Sequence, residues 1–517
     1  MASANLSPMA GGELLWILAA QLALTALPGV AAALLAARLG LRSEPLLLAT
    51  ALAATGAIAM LGFWAYYGSH MLGQTFAFFA IFGSVALCVW APWGGAIERG
   101  LLRRLATPLA LWALGSAFLV FLGFVHGGTA DPLGTSSTRF SGLLPVDNYL
   151  PLYFSDWFFA HGHTGAPPHS AGDWLASDRP PLQIGFTLIQ RTFVWDDHAL
   201  HYQVLGVVLQ QLWIVGLWAL LVAGRAGRVT RAAAMATVLV SDIAIVNGFF
   251  VWPKLLPAAM LLAAAALVLT PLWERVRRSI WGAALLATLL GLAMMGHGAS
   301  VFGILPLLAI AAWRGLPSWR WLGVAALAAA LVMVPWSAYQ HYGEPPGNRL
   351  TKWFLGGAVE VDDRGVGEAI IDGYREAGFG GTLHKKGQNF AAIFGGKAMA
   401  DNIETSIEAA EAGDFENVVR PTRATFFFDL VPSLGLLLVA IAAMAVGYRR
   451  RGRDLTEWRL ALACLTVFGL GALIWALVQF GGATAQTVIH QGSYLLPLLG
   501  ICGAAVGVRA VYPRFAL

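Results

Sequence analysis

Charge is what this sequence has least of. Only 12% of its 517 residues are Asp, Glu, Lys or Arg, and lysine is almost missing, with five among 33 basic residues. A soluble domain carries about 25% charged residues, so a water-soluble globule is excluded as the main architecture. Cysteine is scarce as well. Cys88, Cys464 and Cys502 each fall inside an apolar run, which excludes a disulfide framework and gives no metal-ligand spacing; they read as small core residues. The chain has no Walker loop and no dinucleotide fingerprint, so nucleotide-driven transport lacks support. Internal repeats and low-complexity tracts are missing too. The net charge of +5 calls for no nucleic-acid partner, because the arginines cluster in short loops as topology signals do.

Apolar residues are what is there. They make up 58% of the chain, its mean hydropathy is +0.67, and many runs reach the roughly 20 residues a helix needs to cross a bilayer. The expected fold is an all-α polytopic membrane bundle. Thirteen spans are expected, at 13–37, 46–67, 74–93, 106–126, 202–223, 232–250, 255–273, 280–296, 300–313, 322–340, 425–447, 460–480 and 494–511. The run at 300–313 is short, and with its neighbour it also fits a re-entrant unit. The first run has neither a basic leader nor a small-residue cleavage site, so it reads as a helix and not as a removed signal peptide.

Arginine sets the expected orientation. Arg38 and Arg42, then Arg99, Arg103 and Arg104, then Arg225, Arg228 and Arg231, then Arg275, Arg277 and Arg278, then Arg314 and Arg320, and finally Arg449, Arg450, Arg451 and Arg453 fall in every second loop. The positive-inside rule assigns that side to the cytoplasm. The N-terminus is then expected outside and the C-terminus in the cytoplasm, in an inner (cytoplasmic) membrane; the abundance of Ala, Leu and Arg suits a high-GC bacterium, whose outer side is the periplasm. Two outer loops are long, 127–201 and 341–424, which divides the chain into extra N-terminal helices (1–105), a core with the first outer loop (106–340), the second outer loop (341–424) and C-terminal helices (425–517). All five lysines, Lys254, Lys352, Lys385, Lys386 and Lys397, fall on the outer side. Topology does not demand that, and anion binding is a reason for it. In the second loop, "VGEAIIDGYREAGFG" and "NIETSIEAAEAGDFENVV" have helical spacing without a continuous apolar core, as short helices do that lie on a membrane surface or cap the outer face.

The first outer loop concentrates chemistry. Asp147 follows an apolar stretch directly, with Asn148 and Tyr149 next, and Asp156, Asp173, Asp178, His161, His163 and His169 lie in the same loop. A carboxylate at a membrane surface can act as general base on a hydroxyl within hydrogen-bond reach. Two carboxylates with a histidine can also hold a divalent cation, the one cofactor left open. The competing reading is a solvated polar loop, and "HGHTGAPPH" has no metal spacing. In "DRPPLQIGF" two prolines fix an extended turn before an apolar helix, aiming Asp178 and Arg179 at one point on the membrane edge. Arg179 there is either a bidentate phosphate or carboxylate ligand or an interfacial anchor.

Other outer turns carry the same residue types. "NGFFVWPKLLPAAML" places Asn247, Trp252 and Lys254 between two apolar runs; lysine is a point charge for phosphate, or it snorkels. "MMGHGAS" places His297 among glycines, where a neutral core histidine fits equally. Arg349 and Lys352 stand three apart beside Trp353, on one face if helical, and suit a donor phosphate or pyrophosphate. Burying a phosphate requires paired cations.

An outer loop after a membrane helix, an Asp followed by a polar residue and Tyr, and "PPL" entering the next helix resemble the first outer loop of GT-C fold glycosyltransferases. They are most similar to the branch with the protein O-mannosyltransferases and the lipid A aminoarabinose transferase. The resemblance covers about residues 106–340. It implies a sugar donor on a polyprenyl phosphate, used at the outer face, with the loop Asp, here Asp147, as catalytic base or acceptor-positioning group. Asn148 stands where the family often has a second acid, and three extra spans precede the loop's helix. "TVIHQGSYLLPLL" resembles the late outer turn that closes the GT-C cavity, placing His490, Gln491 and Tyr494 beside it.

The expected function is therefore an inverting membrane glycosyltransferase. Asp147 is the base and Asp178 or Asp156 supports it or a metal. Arg179, Lys254, His297, Arg349, Lys352 and His490 hold the donor phosphate, and Asn148, Tyr149, Trp252 and Tyr494 line the pocket. The partners are a polyprenyl-phosphate-linked sugar, membrane lipid, and a glycan, lipid or protein acceptor. Two alternatives stand beside it. A transporter or flippase would draw on Asp242, the one clear acid inside a span, and wants repeats or broken helices. An O-antigen ligase or polymerase would use an arginine such as Arg349 on a pyrophosphate. A purely structural scaffold explains the hydropathy but not the clustering.

Overall fold

The computed structural model describes residues 8–125, 128–140, 146–165, 167, 174–194, 198–360, 362–394, 396–416, 418, 440–448, 455–481 and 492–512. Among them every regular element is a helix. Four long helices come first: α1 (Pro8–Arg38), α2 (Glu44–Gly68), α3 (His70–Trp90) and α4 (Arg99–Phe124). The first long loop contains α5 (Pro132–Thr138), α6 (Leu150–His161) and α7 (Leu182–Arg191). Then α8 (His198–Gln210) and α9 (Trp213–Ala223) share one apolar stretch, and α10 (Arg228–Leu239) and α11 (Asp242–Phe250) form a pair bent by 57° at its break. After them come α12 (Leu255–Leu269), the single turn α13 (Trp273–Val276), α14 (Ile280–Gly296), α15 (Val301–Trp313) and α16 (Trp319–Ala338). The second long loop holds α17 (Arg349–Gly356), α18 (Val366–Phe394) and α19 (Gly396–Glu411), and α20 (Leu455–Val478) and α21 (Leu495–Val511) end the described chain.

Seven of these helices are long and apolar enough to cross a membrane, or up to eight if the bent α10–α11 pair is one span. The chain is thus an all-helical, multi-pass membrane protein. Four more of the expected spans fall on shorter apolar helices, α12, α14, α15 with its preceding turn, and α21. With 15 residues α12 is about 22 Å long, below the roughly 30 Å of a bilayer core. The expected span at 425–447 lies outside the described residues except for the helical stretch 440–447. Asp242, the acid expected inside a span, sits in the first turn of α11 just after the bend, where a carboxylate meets free helix amides.

The bundle is built around α12, which is buried from Leu255 to Leu269. Its sequence, LLPAAMLLAAAALVL, is mostly alanine and leucine, and small residues let neighbouring backbones approach closely in a membrane bundle. Gly216 of α9 faces the Ala259 carbonyl, Gly296 of α14 faces Pro257, and Gly303 of α15 faces Leu261. The expectation that 127–201 lies outside the bundle needs correction at α7. Every residue from Leu182 to Gln190 is buried, and Gly185 sits against the Ala59 carbonyl, well inside α2. The Pro180–Pro181 turn sends the chain inward, and an apolar run with three buried polar side chains, Gln183, Thr187 and Gln190, follows it into the bundle.

The two helical segments expected in the second outer loop are α18 and α19, and α18 runs further than its first segment, past a left-handed Gly378 (φ 63°). It docks on the end of α20. Asn389 donates to the Ala476 and Gln479 carbonyls at 3.1 and 2.8 Å, and Lys386 donates to Gln479 at 2.6 Å, so terminal carbonyls that a helix cannot satisfy itself are taken up.

The α7–α2 contact sets a test. A Cβ at residue 185 would collide with backbone, which cannot give way as a side chain can. Gly185→Val is expected to destabilise the protein by about 3 kcal/mol or more, read as thermal unfolding in detergent. Gly323, with open space around it, serves as control: Gly323→Ala leaves the midpoint unchanged. A normal midpoint for the Gly185 variant would rule out α7 packing inside the bundle.

Candidate functional site

The backbone breaks where α11 meets α12, and buried glutamines make the break affordable in an apolar interior. Val251 adopts a left-handed conformation (φ 55°), rare for a β-branched residue, and Gly206 of α8 leaves room for its side chain. Gln210 Oε1 accepts from the Leu255 and Leu256 amides at 2.9 and 3.0 Å, capping α12. Its Nε2 donates to Gln183 Oε1 at 3.1 Å. Gln183 Nε2 donates to the Val251 carbonyl at 2.9 Å and to the Tyr202 hydroxyl at 3.0 Å, and that hydroxyl donates to the Asn148 carbonyl at 2.6 Å. One chain of hydrogen bonds therefore fixes the start of α12 against the peptide beside Asp147.

Around that peptide the charged residues converge. Asp147 lies on the single turn Val146–Asn148, and its Oδ1 accepts from Arg179 Nη2 at 2.8 Å, with only 15% and 13% of the two side chains exposed. The Trp174 ring carries both the Arg179 and the Arg349 guanidinium, each 4.3 Å from its centre. Lys254, in the turn before α12, is fully buried, with its Nζ 4.7 Å from the Trp252 ring centre and 5.4 Å from that of Tyr494. Burial pushes the Lys254 ammonium well below the usual lysine range; Asp147 opposes this shift and Arg179 adds to it. His297, in the turn before α15, packs edge-on to Trp252 with ring centres 5.7 Å apart. Its Nδ1 accepts from the Ala299 amide at 3.1 Å, and burial, then Lys254 and Arg179, depress its pKa. The imidazole is therefore neutral, with its proton assigned to Nε2, a donor held beside two cations.

Asp178 sits one residue before Arg179. Its Oδ2 accepts from the Leu175 amide at 3.3 Å. Burial and the nearby Glu344 raise its pKa, while the Leu175 amide, Arg179 and Arg349 counter the shift, and burial prevails. Among the described residues, buried Asp178 Oδ1, Arg179 Nε, Ser177 Oγ and the Tyr494 hydroxyl have no hydrogen-bond partner. Four orphaned polar atoms around one cluster mark a place where a ligand or water completes the bonding.

Some of the expected residues are engaged elsewhere. The Asn148 side chain is not in a pocket: it is buried and donates to the Leu133 carbonyl and Ser136 Oγ, at 3.2 and 2.7 Å, tying down α5. Tyr149 packs on Tyr153. Asp156 pairs with Arg191 at 3.3 Å on the far part of α6. Lys352 is fully buried, and its ammonium donates to the Asp362 carbonyl, Asp362 Oδ1 and the Arg364 carbonyl at 2.8, 2.7 and 3.2 Å, which uses all three donors. Arg364 and Lys352 hold the Asp362 carboxyl down at about 2. Lys352 thus organises the turn after α17 while Arg349, three residues earlier, reaches Trp174. His490, Gln491, His169 and Asp173 lie outside the described residues. Among the described residues no three His, Cys, Asp or Glu side chains group as metal ligands, and Asp147 faces a guanidinium.

Glu344 belongs to this region, though the sequence reading passed it over. It is buried, and its Oε2 accepts from the Ser177 amide at 2.6 Å and the Tyr339 hydroxyl at 3.1 Å, pinning the turn that carries Asp178 and Arg179 to the start of the second long loop. Its signal was available, since "EPPG" repeats the acid-before-double-proline pattern of "DRPPL". Comparison with family models, with curated proteins and with solved structures gives no match.

Asp178 yields a pH test. Its native pKa lies above the unfolded value of about 3.9. Its contribution is most favourable below that value, and stability is lost as pH rises through the native pKa. Asp178→Asn, whose amide oxygen can still accept from Leu175, is expected to unfold at a higher temperature than the wild type at pH 7 and at a similar one at pH 4. Parallel stability curves between those pH values would show that Asp178 carries no such penalty.

Proposed function

We propose that the protein is a GT-C-like glycosyltransferase of thirteen spans in the inner membrane, with its N-terminus outside, its C-terminus in the cytoplasm and the Asp147 cluster facing the periplasm. It transfers a sugar from a polyprenyl-phosphate donor to an acceptor hydroxyl with inversion. The observation that carries this reading is the convergence of Asp147, Arg179 and Lys254, from three separate segments, on one nearly buried point where helices end. A carboxylate beside cations, walled by Trp252, Trp174 and Tyr494, suits a lipid phosphate next to a hydroxyl to be deprotonated.

In the reaction the acceptor oxygen attacks the anomeric carbon from the face opposite the phosphate. Its proton passes to the Asp147 carboxylate. The bond from the anomeric carbon to the phosphate oxygen breaks, and that oxygen leaves with the electron pair. Arg179, Lys254 and Arg349, with the His297 N–H, stabilise the charge that develops on the leaving phosphate. Trp252 and Tyr494 flank Lys254 and supply an apolar wall for the first isoprene units. Asp178 and Glu344 set the position of Arg179. A second reading rests on the two guanidiniums that share Trp174: two arginines match the two phosphates of a pyrophosphate-linked donor, as an O-antigen ligase or polymerase would use. A flippase reading can draw on the bent α10–α11 pair with Asp242 at its break, but that one acid stands apart from the cluster of Asp147, Arg179 and Lys254.

The test uses purified protein in nanodiscs with radiolabelled polyprenyl monophosphate and pyrophosphate sugars and native lipid extract as acceptor source. Asp147→Asn is expected to lower transfer by about 10²-fold or more while donor binding persists. Arg179→Gln is expected to weaken donor binding itself. Transfer by the Asp147 variant at the wild-type rate would remove Asp147 as the base, and transfer only from pyrophosphate donors would select the second reading.

A further inference from the structure

The end of the bundle away from Asp147 holds a second charged cavity. Helix α4 and the α10–α11 pair run side by side in the same direction, so Gly115 faces Leu239 and Gly123 faces Phe249. Their C-terminal ends lead to Asp147 and Lys254. Their N-terminal ends open on a cavity of about 650 Å³. Its walls include the apolar side chains of Leu111, Ile214 and Met235, and it is also lined by Arg104, Arg228 and Arg231.

The charges there do not balance. Among the described residues Glu44 is the one carboxylate lining the cavity. Its Oε1 accepts from the Trp218 indole N–H at 2.8 Å, and its Oε2 lies 3.8 Å from Arg104 Nε. Three arginines against one glutamate leave two positive charges uncompensated. Arg231 packs its guanidinium 5.0 Å from the Trp218 ring centre, and its Nε is buried with no hydrogen-bond partner among the described residues. A buried charged donor left open is costly, and an anion that accepts from it removes that cost. The cavity is far larger than a phosphate group, and its apolar walls offer nothing to a free ion.

We propose that this cavity binds the headgroup of an anionic phospholipid. The phosphate sits among Arg104, Arg228 and Arg231, and the upper part of an acyl chain runs along Leu111, Ile214 and Met235. Basic pockets between membrane helices at the positively charged side are suited to anionic lipids. This inference is independent of which reaction takes place at the Asp147 end.

The test takes the full-length protein, delipidated in neutral detergent, and adds phosphatidylglycerol, phosphatidylcholine or inorganic phosphate. Bound lipid is counted by native mass spectrometry and stability is followed by thermal unfolding. Phosphatidylglycerol is expected to remain bound and to raise the unfolding midpoint. Arg228→Gln with Arg231→Gln is expected to weaken its binding at least about tenfold, as loss of charge-assisted contacts does. Ala236→Trp keeps every charge and fills the cavity from an exposed lining position, and it is expected to have the same effect. Arg278→Gln, on an exposed arginine outside the cavity, leaves binding unchanged. Equal retention of phosphatidylglycerol by the wild type and both cavity variants overturns the proposal. So does equal stabilisation by phosphatidylcholine, and equal stabilisation by inorganic phosphate overturns the assignment to a lipid.

Discussion

Four hydrogen-bonded side chains and peptides, Gln210, Gln183, Tyr202 and the backbone of Asn148, hold the arrangement on which everything else at the Asp147 end depends. A helix that starts inside a membrane bundle leaves its first amides without partners, and apolar surroundings offer none. Gln210 meets two of those amides at once. Pro253 has no amide to donate and clashes with the preceding turn of a helix, so the chain breaks there, and each amide that the break left unpaired would cost about 1–3 kcal/mol without this glutamine. A continuous helix there would remove the turn that carries Trp252 and Lys254. Pro253 opposes the regular helix and the network satisfies the broken one, and the break is what brings Lys254 inward.

Burying Lys254 is the second constraint, and it follows from the first. An ammonium taken out of water is expensive unless it is paired or cradled. Two aromatic faces, Trp252 and Tyr494, contribute cation–π attraction, and Asp147 favours the charged form, but Arg179 lies close enough to work against it. The cluster is thus under electrostatic tension. Its relief is an added anion, which would attract Lys254, Arg179 and Arg349 together. Glu344 keeps this from collapsing in another way: by accepting from Ser177 and Tyr339 it holds the turn of Arg179 from behind, so the guanidinium cannot simply withdraw.

How far the sequence made this legible depends on what kind of signal each residue leaves. Asp147, Arg179, Trp252, Lys254, His297 and Tyr494 all stand where an apolar run stops, and a polar or aromatic residue at such a point is visible to hydropathy alone. The structure brings those six together. Gln183, Gln210 and Tyr202 stand inside apolar helices with no local motif, and their partners lie 19 to 68 residues away, so only the fold reveals what they do. Lys352 misleads for a different reason. Its spacing from Arg349 suggests a shared face, but the turn after α17 returns Asp362 and Arg364 to it, and a pattern within one helix carries no information about a loop that folds back. The number of crossings was legible only coarsely, because an apolar run of 15 residues reads the same whether it spans the membrane or starts within it.

The pairing of Arg179 with Asp147 bears on the order of events in the proposed reaction. One guanidinium nitrogen contacts the carboxylate at 2.8 Å, and Nε of the same group is buried with no hydrogen-bond partner among the described residues, so Arg179 keeps an open donor beside the cluster. A phosphate arriving there offers more negative charge than one carboxylate does, and a bidentate guanidinium–phosphate contact is stronger than a single bond to Asp147. Donor binding would then draw Arg179 from Asp147 to the phosphate and leave the carboxylate free to take a proton from the acceptor. Without donor, the Asp147 carboxylate would stay paired with Arg179, its oxygen taken up by the guanidinium and not by an acceptor hydroxyl. The same contact that lowers the cost of burying the two charges would therefore keep the base idle until there is a sugar to transfer.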